Sequence, residues 1–272
     1  MSDLMFIGCA GWALRTEHHA LFDAAGSHLS RYASRFNAVE INSSFYKPHR
    51  PATYARWRAS VPEGFRFSVK LPKAITHEQR LRDSGALLDT FFGQVLELRD
   101  RLGALLVQLP PSLVFDEDVA DHFLAGLRAR HDGDVCLEPR HVSWFEPAAD
   151  ALLVAHRVAR VAADPGLCPA ASEPGGWRGL AYFRLHGSPR LYYSAYGARS
   201  IEHWHGRMRA AAQGSSRVWC IFDNTAEGAA TVDALDMQRL SASAATASGP
   251  VDPLSLPASV RQGAGAGAPH TR

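Results

Sequence analysis

The 272-residue sequence is poor in the features that mark several classes of protein. It has four cysteines and no C-x-x-C pair, which disfavours a disulfide scaffold and the usual zinc and redox motifs. No run of residues is long and apolar enough to span a bilayer, and the first residues lack the pattern of a signal peptide. We therefore expect reduced, buried cysteines, a cytoplasmic location and no membrane partner.

A strong excess of one charge is also missing. The 29 Lys and Arg residues nearly balance the 27 Asp and Glu residues, and the formal net charge is +2. Overall charge therefore does not favour nucleic-acid binding, although the composition allows a local basic cleft. Charged residues make up 21% of the chain and apolar residues 46%, which excludes collagen, a coiled-coil rod and a wholly disordered protein.

Three common signatures of cofactor binding or catalysis are absent as well. No G-x-G-x-x-G follows a predicted strand, no G-x-S-x-G predicts a serine nucleophile, and no H-E-x-x-H predicts a zinc site. The cofactor is therefore left unknown. The acidic and histidine residues described below would suit a divalent metal, but no ligand spacing supports one.

Short apolar runs alternate with longer amphipathic segments along the first 240 residues. The runs are rich in Val, Ile, Leu and Phe and predict β-strands, and most of the gaps between them have helical periodicity. The segment 165–179 is rich in Pro, Gly, Ala and Ser and predicts a loop. The eight predicted strands lie at residues 5–10, 38–43, 65–71, 104–109, 134–138, 159–164, 180–186 and 217–223.

This alternation predicts the fold and the boundaries of the domain. Strands separated by helices pair in parallel through right-handed crossovers, and eight units in about 240 residues match a TIM-like (β/α)8 barrel. One crossover helix is then missing or short after the sixth strand. An open doubly wound sheet is the alternative. We predict a single barrel domain at 1–240 and a disordered tail at 241–272, which has no aromatic residue and is rich in Ala, Ser, Gly and Pro.

Polar residues end most of these strands, at the side where barrel enzymes place their chemistry. Because side chains alternate along a strand, Glu40 and Asn42 point to one face, as do Arg184 and His186, whereas Val39 points outward to the helices. The candidate site residues at these strand ends and in the following loops are Glu40, Asn42, Tyr46, Lys70, Gln108, Glu138, Arg140, Asp164, Arg184, His186, Asp223 and Asn224.

Three of these residues are candidates for acid–base catalysis: Glu138, Asp164 and His186. We expect crowding and burial to raise the pKa of Glu138 toward neutrality. Together with Asp223 the same residues form a mixed carboxylate and imidazole set that suits Mn, Mg or Zn, although the nearby cations disfavour a metal.

The other candidates are assigned to substrate binding. Lys70, Arg140 and Arg184 could clamp a carboxylate or phosphate, and Glu40 and Asn42 could orient the substrate. The competing interpretation is a structural salt-bridge network that closes the top of the barrel. The remaining binding candidates are Tyr46, Gln108, Asp223 and Asn224, of which the last could instead cap a helix together with Glu227.

The leading hypothesis is an enzyme, with a hydrolase or an isomerase as the preferred reaction class. Its substrate would be a small polar or anionic molecule that is phosphorylated, carboxylated or sugar-like. Nucleic-acid binding or processing is an alternative, with Tyr46 and Tyr192 stacking on bases and Lys47, Arg50 and Arg190 contacting phosphates. A non-catalytic metabolite sensor is a further alternative, and the oligomeric state is left open.

Short motifs in order between Ile7 and Leu240 carry a family resemblance. They are GCAGW at 8–12, VEINSSFY at 39–46, VKLP at 69–72, ITH at 75–77, LVQLPP at 106–111, EPRH at 138–141, YFRLHG at 182–187 and FDNT at 222–225. Together they resemble the YecE-like family, the domain of unknown function numbered 72. The resemblance implies a TIM-like barrel and the position of the site, and it brings no established reaction.

Overall fold

The structure is a computed structural model that describes residues 5–247, with side chains described as far as residue 243. Short runs rich in β-branched and aromatic residues form its strands, as expected from their fit to a pleated, buried surface. The strands in this part of the chain are β1 (Met5–Cys9), β2 (Ala38–Ile41), β3 (Arg66–Lys70), β4 (Leu102–Gln108), β5 (Asp134–Glu138), β6 (Val158–Arg160), β7 (Ala162–Asp164), β8 (Gly175–Gly176), β9 (Leu180–Leu185) and β10 (Arg217–Phe222).

Helices follow most of the strands. Two of them begin with proline in the first turn, where the missing N–H costs no hydrogen bond. Two others are capped by Ser27 or Asp116, whose side-chain oxygen accepts a hydrogen bond from a backbone N–H of the first turn. The helices are α1 (His28–Ala33), α2 (Ser43–Tyr46), α3 (Pro51–Ala59), α4 (Gly85–Val95), α5 (Glu117–Arg128), α6 (Pro147–Ala155), α7 (Ala198–Ala211) and α8 (Ala229–Ala247).

The strands form two sheets in which neighbours run parallel, apart from the antiparallel pair β6 and β8. The four-stranded sheet has the order β1-β10-β9-β7, and the six-stranded sheet has the order β2-β3-β4-β5-β6-β8. The α/β class with parallel strands is therefore confirmed. One closed ladder of eight strands is not, because within the described residues the β-pairing between the two sheets is limited to an isolated bridge between Ala10 and Glu40.

The predicted sixth strand is divided between the two sheets. Its first half, β6, pairs with β5, and its second half, β7, pairs with β9. The chain passes from one sheet to the other at Val161, whose N–H donates to the Leu137 carbonyl at 2.9 Å. The predicted loop that follows contains a 3-10 turn at Pro169–Ser172 and β8 in place of a crossover helix.

Alternation along the strands separates two hydrophobic clusters. Val39 lies, as predicted, in the larger outer cluster together with Val69 and Leu185, and this cluster also contains apolar residues of the surrounding helices. Their alternating neighbours form a smaller inner cluster that includes Leu106 of the six-stranded sheet and Tyr182 of the four-stranded sheet. The inner faces of the two sheets therefore pack against each other, and the charged strand ends lie above this contact.

Two other expectations concern the termini and the cysteines. Helix α8 continues to Ala247, past the predicted end of the ordered domain at 240, and the rest of the predicted tail lies outside the described residues. Cys9, Cys136 and Cys220 are buried free thiols as expected, whereas Cys168 is partly exposed. In the described part of the chain, no helix has the length and apolar character needed to cross a membrane.

Candidate functional site

Arg184, at the end of β9, is the centre of a buried charge network that joins both sheets. Its guanidinium donates to Glu40 from Nε at 3.0 Å and from Nη2 at 2.6 Å, to Glu138 from Nη1 at 2.7 Å, and to Asp223 from Nη2 at 3.0 Å. Burial opposes the charge, but Glu40, Glu138 and Asp223 outweigh it and hold the pKa of Arg184 well above its ordinary value. The guanidinium is therefore a permanent cation in this site.

His186 lies between two of the same carboxylates. Its Nδ1 is 3.0 Å from Asp223 Oδ2, and its Nε2 is 2.9 Å from Glu138 Oε1 and 3.1 Å from Arg140 Nη2. A doubly protonated imidazole donates to both carboxylates, whereas a neutral one with its proton on Nδ1 accepts from Arg140 at Nε2. The proton on Nε2 thus determines whether His186 pairs with Glu138 or with Arg140.

The expected raised pKa of Glu138 is wrong. Burial alone would raise it, but Arg184, then Arg140 and His186, hold the pKa of Glu138 well below its ordinary value. Asp223 behaves in the same way: burial raises its pKa, and Arg184 and His186 lower it to below the ordinary value. Both groups are carboxylates at neutral pH, so they can orient and stabilise a cation but cannot donate a proton.

Lys70, at the end of β3, differs from the other charged groups of this cluster. It is 8% exposed, and among the described residues its ammonium takes part in no ion pair. Burial, and after it the Arg184 charge, lowers the pKa of Lys70 from 10.5 to about 8, against the opposing effect of the nearby carboxylates. The sequence assigned Lys70 to anion binding, and the structure makes it a candidate for proton transfer as well.

The segment after β2 holds an aromatic ring against this amine. Ser44 Oγ lies 2.9 Å from the Ile41 carbonyl oxygen and 2.7 Å from the Lys70 carbonyl oxygen, so it ties α2 to the end of β3. Phe45 consequently lies with its ring centroid 4.2 Å from Lys70 Nζ. The His77 ring packs edge-on against Phe45 at 4.9 Å. Lys70 is thus shielded from solvent on the side of this ring.

Two residues that support the network were not predicted from the sequence. Tyr182 is fully buried, and its hydroxyl lies 3.0 Å from Glu40 Oε2 and 2.8 Å from the Ser68 hydroxyl. Tyr182 and Ser68 precede Arg184 and Lys70 by two positions, so strand alternation places each pair on the same face. That periodicity could have identified both residues as a layer beneath the charges.

The remaining predicted binding residues differ in their relation to the network. Gln108 belongs to it, since Nε2 donates to Glu138 Oε2 at 3.3 Å. Asn42 Oδ1 and Arg140 Nε are buried atoms with no hydrogen-bond partner among the described residues. Buried polar atoms of this kind usually bind a ligand or water.

Asp164, Asn224 and Tyr46 lie outside the network. Asp164 Oδ2 accepts from the Tyr196 hydroxyl at 2.6 Å. The Asn224 amide donates to Asp233 Oδ2 at 2.6 Å and to the Ser194 carbonyl at 2.9 Å, so it anchors the loop after β9 rather than capping a helix. Tyr46 is 73% exposed.

The structure also bears on the metal and nucleic-acid alternatives. No group of three or more His, Cys, Asp and Glu side chains in the described ranges is arranged to hold a metal ion. Glu138, His186 and Asp223 are instead bonded to one another and to Arg184. The Tyr192 ring contacts the His186 ring edge-on at 5.8 Å, so it covers the network from the loop after β9.

Comparison with known proteins identifies similar sequences. The model of the family described as "Protein of unknown function DUF72" matches residues 6–255. The UPF0759 protein YecE of Escherichia coli K12 is 32% identical over 143 residues, which cover 52% of this chain and 50% of that protein. The UPF0759 protein YunF of Bacillus subtilis 168 is 29% identical over 157 residues, which cover 53% of each. The chain thus spans about half the length of the curated relatives it matches.

Solved structures share the fold. A DUF72 family protein from Thermotoga maritima MSB8 superposes with a TM-score of 0.73 at 21% identity, covering 88% of this chain and 99% of that one. A DUF72 family protein from Enterococcus faecalis V583 also gives a TM-score of 0.73, at 22% identity, covering 87% of this chain and 95% of that one. At these identities the likeness concerns the fold alone.

Proposed function

The chain belongs to the DUF72 family, and we propose that it is an enzyme acting on a small anionic molecule by acid–base chemistry at the carboxyl ends of its strands. The observation that carries this proposal is the state of Lys70, a buried amine that no carboxylate pairs in a site crowded with carboxylates. A structural salt-bridge network has no need of such a group, because an unpaired buried charge lowers stability.

Arg140 supports binding of an anion. Its side chain is 22% exposed, the largest exposed fraction among the side chains ion-paired in the network, and its Nε has no partner among the described residues. Within the described residues only its Nη2 is bonded to the network, at 2.6 Å from Glu138 Oε1 and 3.1 Å from His186 Nε2, so the rest of the guanidinium is left for a ligand. Arginine suits planar bidentate contact with a carboxylate or phosphate.

Lys70 and His186 are the groups that would move protons. A pKa near 8 lets Lys70 accept and donate protons close to neutral pH, where general catalysis is most efficient. Glu138 and Asp223 would fix the orientation of His186, because they bond both of its ring nitrogens. Asp164, through Tyr196, would hold the loop that begins at Gly187, since the Tyr196 hydroxyl also accepts from the Gly187 N–H at 3.0 Å.

The proposal includes a barrel-like enclosure built from the two sheets. Support comes from both places where the sheets adjoin: the Gly11 N–H donates to the Glu40 carbonyl at 2.9 Å, and the chain crosses from β6 to β7 within a single residue. Charged groups from both sheets meet at Arg184. An enclosed, partly dry site of this kind strengthens every electrostatic interaction within it.

Anion binding can be tested by thermal denaturation with inorganic phosphate and with glyoxylate, each compared with chloride at equal ionic strength. We expect both anions to raise the melting temperature of the wild-type chain and of Arg82→Gln, an exposed arginine away from the network. The increase should disappear in Arg140→Gln. An increase that is the same in all three proteins would contradict a site at Arg140.

Catalysis can be tested by incubating the purified protein with a metabolite extract and following the loss of compounds by mass spectrometry. We expect wild type and Lys73→Met to consume the same anionic compound and Lys70→Met to leave it unchanged. Equal consumption by Lys70→Met would remove Lys70 from the mechanism. Anion binding without any turnover would favour a non-catalytic metabolite sensor.

A further inference from the structure

We propose that Lys70 is a nucleophile that forms a Schiff base with an aldehyde or ketone whose anionic group is bound by Arg140. This inference rests on the proposed function, because it specifies the substrate class and the reacting atom of the same site. A carbonyl compound with a carboxylate or phosphate is the ligand that an amine and a guanidinium can recognise together.

Lys70 differs from every other lysine of the chain. The sequence contains three lysines, Lys47, Lys70 and Lys73. Lys47 is exposed, and Lys73 is 48% exposed and paired with Glu78 at 3.0 Å. Lys70 is buried and forms no ion pair within the described residues, so no partner would have to be displaced for its amine to react.

A lysine must lose its proton before it can attack a carbonyl carbon. Desolvation and a neighbouring cation are the two ways in which proteins favour the neutral amine, and Lys70 has both, since it is buried and lies near Arg184. The contact with the Phe45 ring favours the ammonium. Burial and the Arg184 charge act in the opposite direction and lower the pKa of Lys70 from 10.5 to about 8.

The reaction balances without an oxidant or reductant. The neutral Lys70 Nζ attacks the carbonyl carbon, a C–N bond forms, and the carbonyl π electrons move to oxygen. Transfer of a proton from nitrogen to that oxygen gives a carbinolamine. A second proton, from a doubly protonated His186 or from water, allows the oxygen to leave as water and produces the iminium ion. Hydrolysis reverses these steps.

The network also suits the product of this step. The iminium ion carries a positive charge, whereas the attacking amine is neutral. Glu40, Glu138 and Asp223 all favour positive charge at Lys70 Nζ. They would therefore stabilise the iminium ion, and the iminium would in turn draw electrons from the adjacent carbon of the substrate.

The test is reductive trapping on the full chain. Wild-type protein is incubated at neutral pH with glyoxylate, or with propanal as an uncharged aldehyde, in the presence of cyanoborohydride. Adducts are then located by peptide mapping. A pKa difference of this size gives Lys70 a free-amine fraction more than about 100-fold above that of an ordinary lysine. Allowing for its burial, we expect Lys70 to carry at least about tenfold more carboxymethyl adduct than Lys47 or Lys73.

Variants make the assignment specific. Lys73→Arg should leave the glyoxylate adduct unchanged, and Lys70→Arg should lose it. Arg140→Gln should lower labelling of Lys70 by glyoxylate but not by propanal. Because the central comparison is made within the wild-type chain, a variant that fails to fold does not decide the result.

The outcomes separate this inference from the proposed function. Labelling of Lys70 no faster than that of Lys47 and Lys73 overturns the Schiff base. If phosphate nevertheless raises the melting temperature of wild type but not of Arg140→Gln, the anion site is supported and only the Schiff base is overturned. If both aldehydes label Lys70 preferentially and Arg140→Gln changes neither reaction, the result supports Lys70 as the nucleophile and overturns the binding of the anionic group by Arg140. The absence of both effects overturns both proposals.

Discussion

Arg184 and Glu40 form a bidentate pair in which Nε and Nη2 of the arginine lie 3.0 and 2.6 Å from the two carboxylate oxygens, and both side chains are fully buried. The residues belong to β9 of the four-stranded sheet and β2 of the six-stranded sheet. They are 144 positions apart in the sequence. Their pairing therefore connects the two sheets across the inner faces and fixes the position of the charges around them.

Replacement of Arg184 by methionine should strongly destabilise the protein. It would leave Glu40, Glu138 and Asp223 buried without their common cation, and breaking a buried pair in this way costs about 3–5 kcal/mol. We expect a loss of this size in the free energy of unfolding, measured by urea denaturation. Arg82→Met is the control, because the Arg82–Asp116 pair is exposed and should be nearly neutral. If Arg184→Met and Arg82→Met lowered the free energy of unfolding by the same small amount, the network around Arg184 would be solvated.

Replacement of Lys70 by methionine should stabilise the protein at neutral pH. Because the folded chain lowers the pKa of Lys70 from 10.5 to about 8, the unfolded chain binds this proton more tightly. Wild-type stability should therefore rise as the pH increases from about 8 to 10.5. We expect Lys70→Met to be more stable by about 1–3 kcal/mol at pH 7 and to lose this part of the pH dependence.

The control for this measurement is Lys73→Met, which alters an exposed lysine three positions away. The difference in stability between wild type and Lys73→Met should be small, because the Lys73–Glu78 pair is exposed. Chemical denaturation at several pH values from 7 to 10.5 gives both differences. A Lys70→Met protein that is less stable than wild type at pH 7 would mean that the ammonium has a stabilising partner in the folded chain.

Replacement of Glu138 by glutamine tests how much the charged carboxylate contributes to stability as the pH is lowered. The folded pKa of Glu138 is lowered, so its contribution to stability is present above the ordinary value of 4.5 and is lost as the pH falls through the folded value. We expect Glu138→Gln to be less stable than wild type at pH 7, with the difference narrowing below pH 4.5. Glu63→Gln, at an exposed position, is the control and should change the free energy of unfolding at pH 7 by less than about 0.5 kcal/mol. A pH-independent difference would assign the loss to packing.

Much of the fold and the grouping of the site follow from local sequence patterns. Alternation along single strands places Glu40 and Arg184 on the inner face and Val39 on the outer face, because a strand has a period of two residues. The alternation of strands and helices predicts parallel pairing, which the structure confirms. The resemblance to the YecE-like family is confirmed by the match over residues 6–255.

Other features depend on contacts that no local pattern specifies. The pKa of Glu138 is set by Arg184, which lies 46 positions away, so counting nearby carboxylates gives the wrong direction. Within the described residues Lys70 forms no ion pair, because Arg184 and His186 bond the carboxylates. Only the three-dimensional structure shows which cation bonds which carboxylate. The division of the sixth strand at Val161 likewise results from where the two sheets adjoin, since the run 159–164 contains no glycine or proline that would mark a break.

The two sheets also approach each other between β1 and β2, and this approach can be tested at Gly8. A Cβ atom there would lie 2.0 Å from the Ala38 carbonyl oxygen and 2.8 Å from the Tyr32 hydroxyl. Tyr32 joins the same two edges, since its hydroxyl donates to the Ala38 carbonyl at 2.9 Å and accepts from the Cys9 N–H at 2.8 Å. Gly8→Ala must therefore push β1 away from β2, and such overpacking costs about 1–3 kcal/mol or more.

Gly206→Ala provides the matched control, since it adds the same methyl group in the middle of α7. Apart from its chain neighbours and the nearby backbone of its own helix, no heavy atom of the described residues lies within 4 Å of the position that its Cβ would occupy. An alanine there should stabilise the protein by about 0.5–1 kcal/mol, because glycine is unfavourable inside a helix. Urea denaturation should thus give effects of opposite sign for the two variants. A Gly8→Ala protein as stable as wild type would mean that β1 and β2 do not approach each other, and the enclosure proposed around Arg184 would be open on that side.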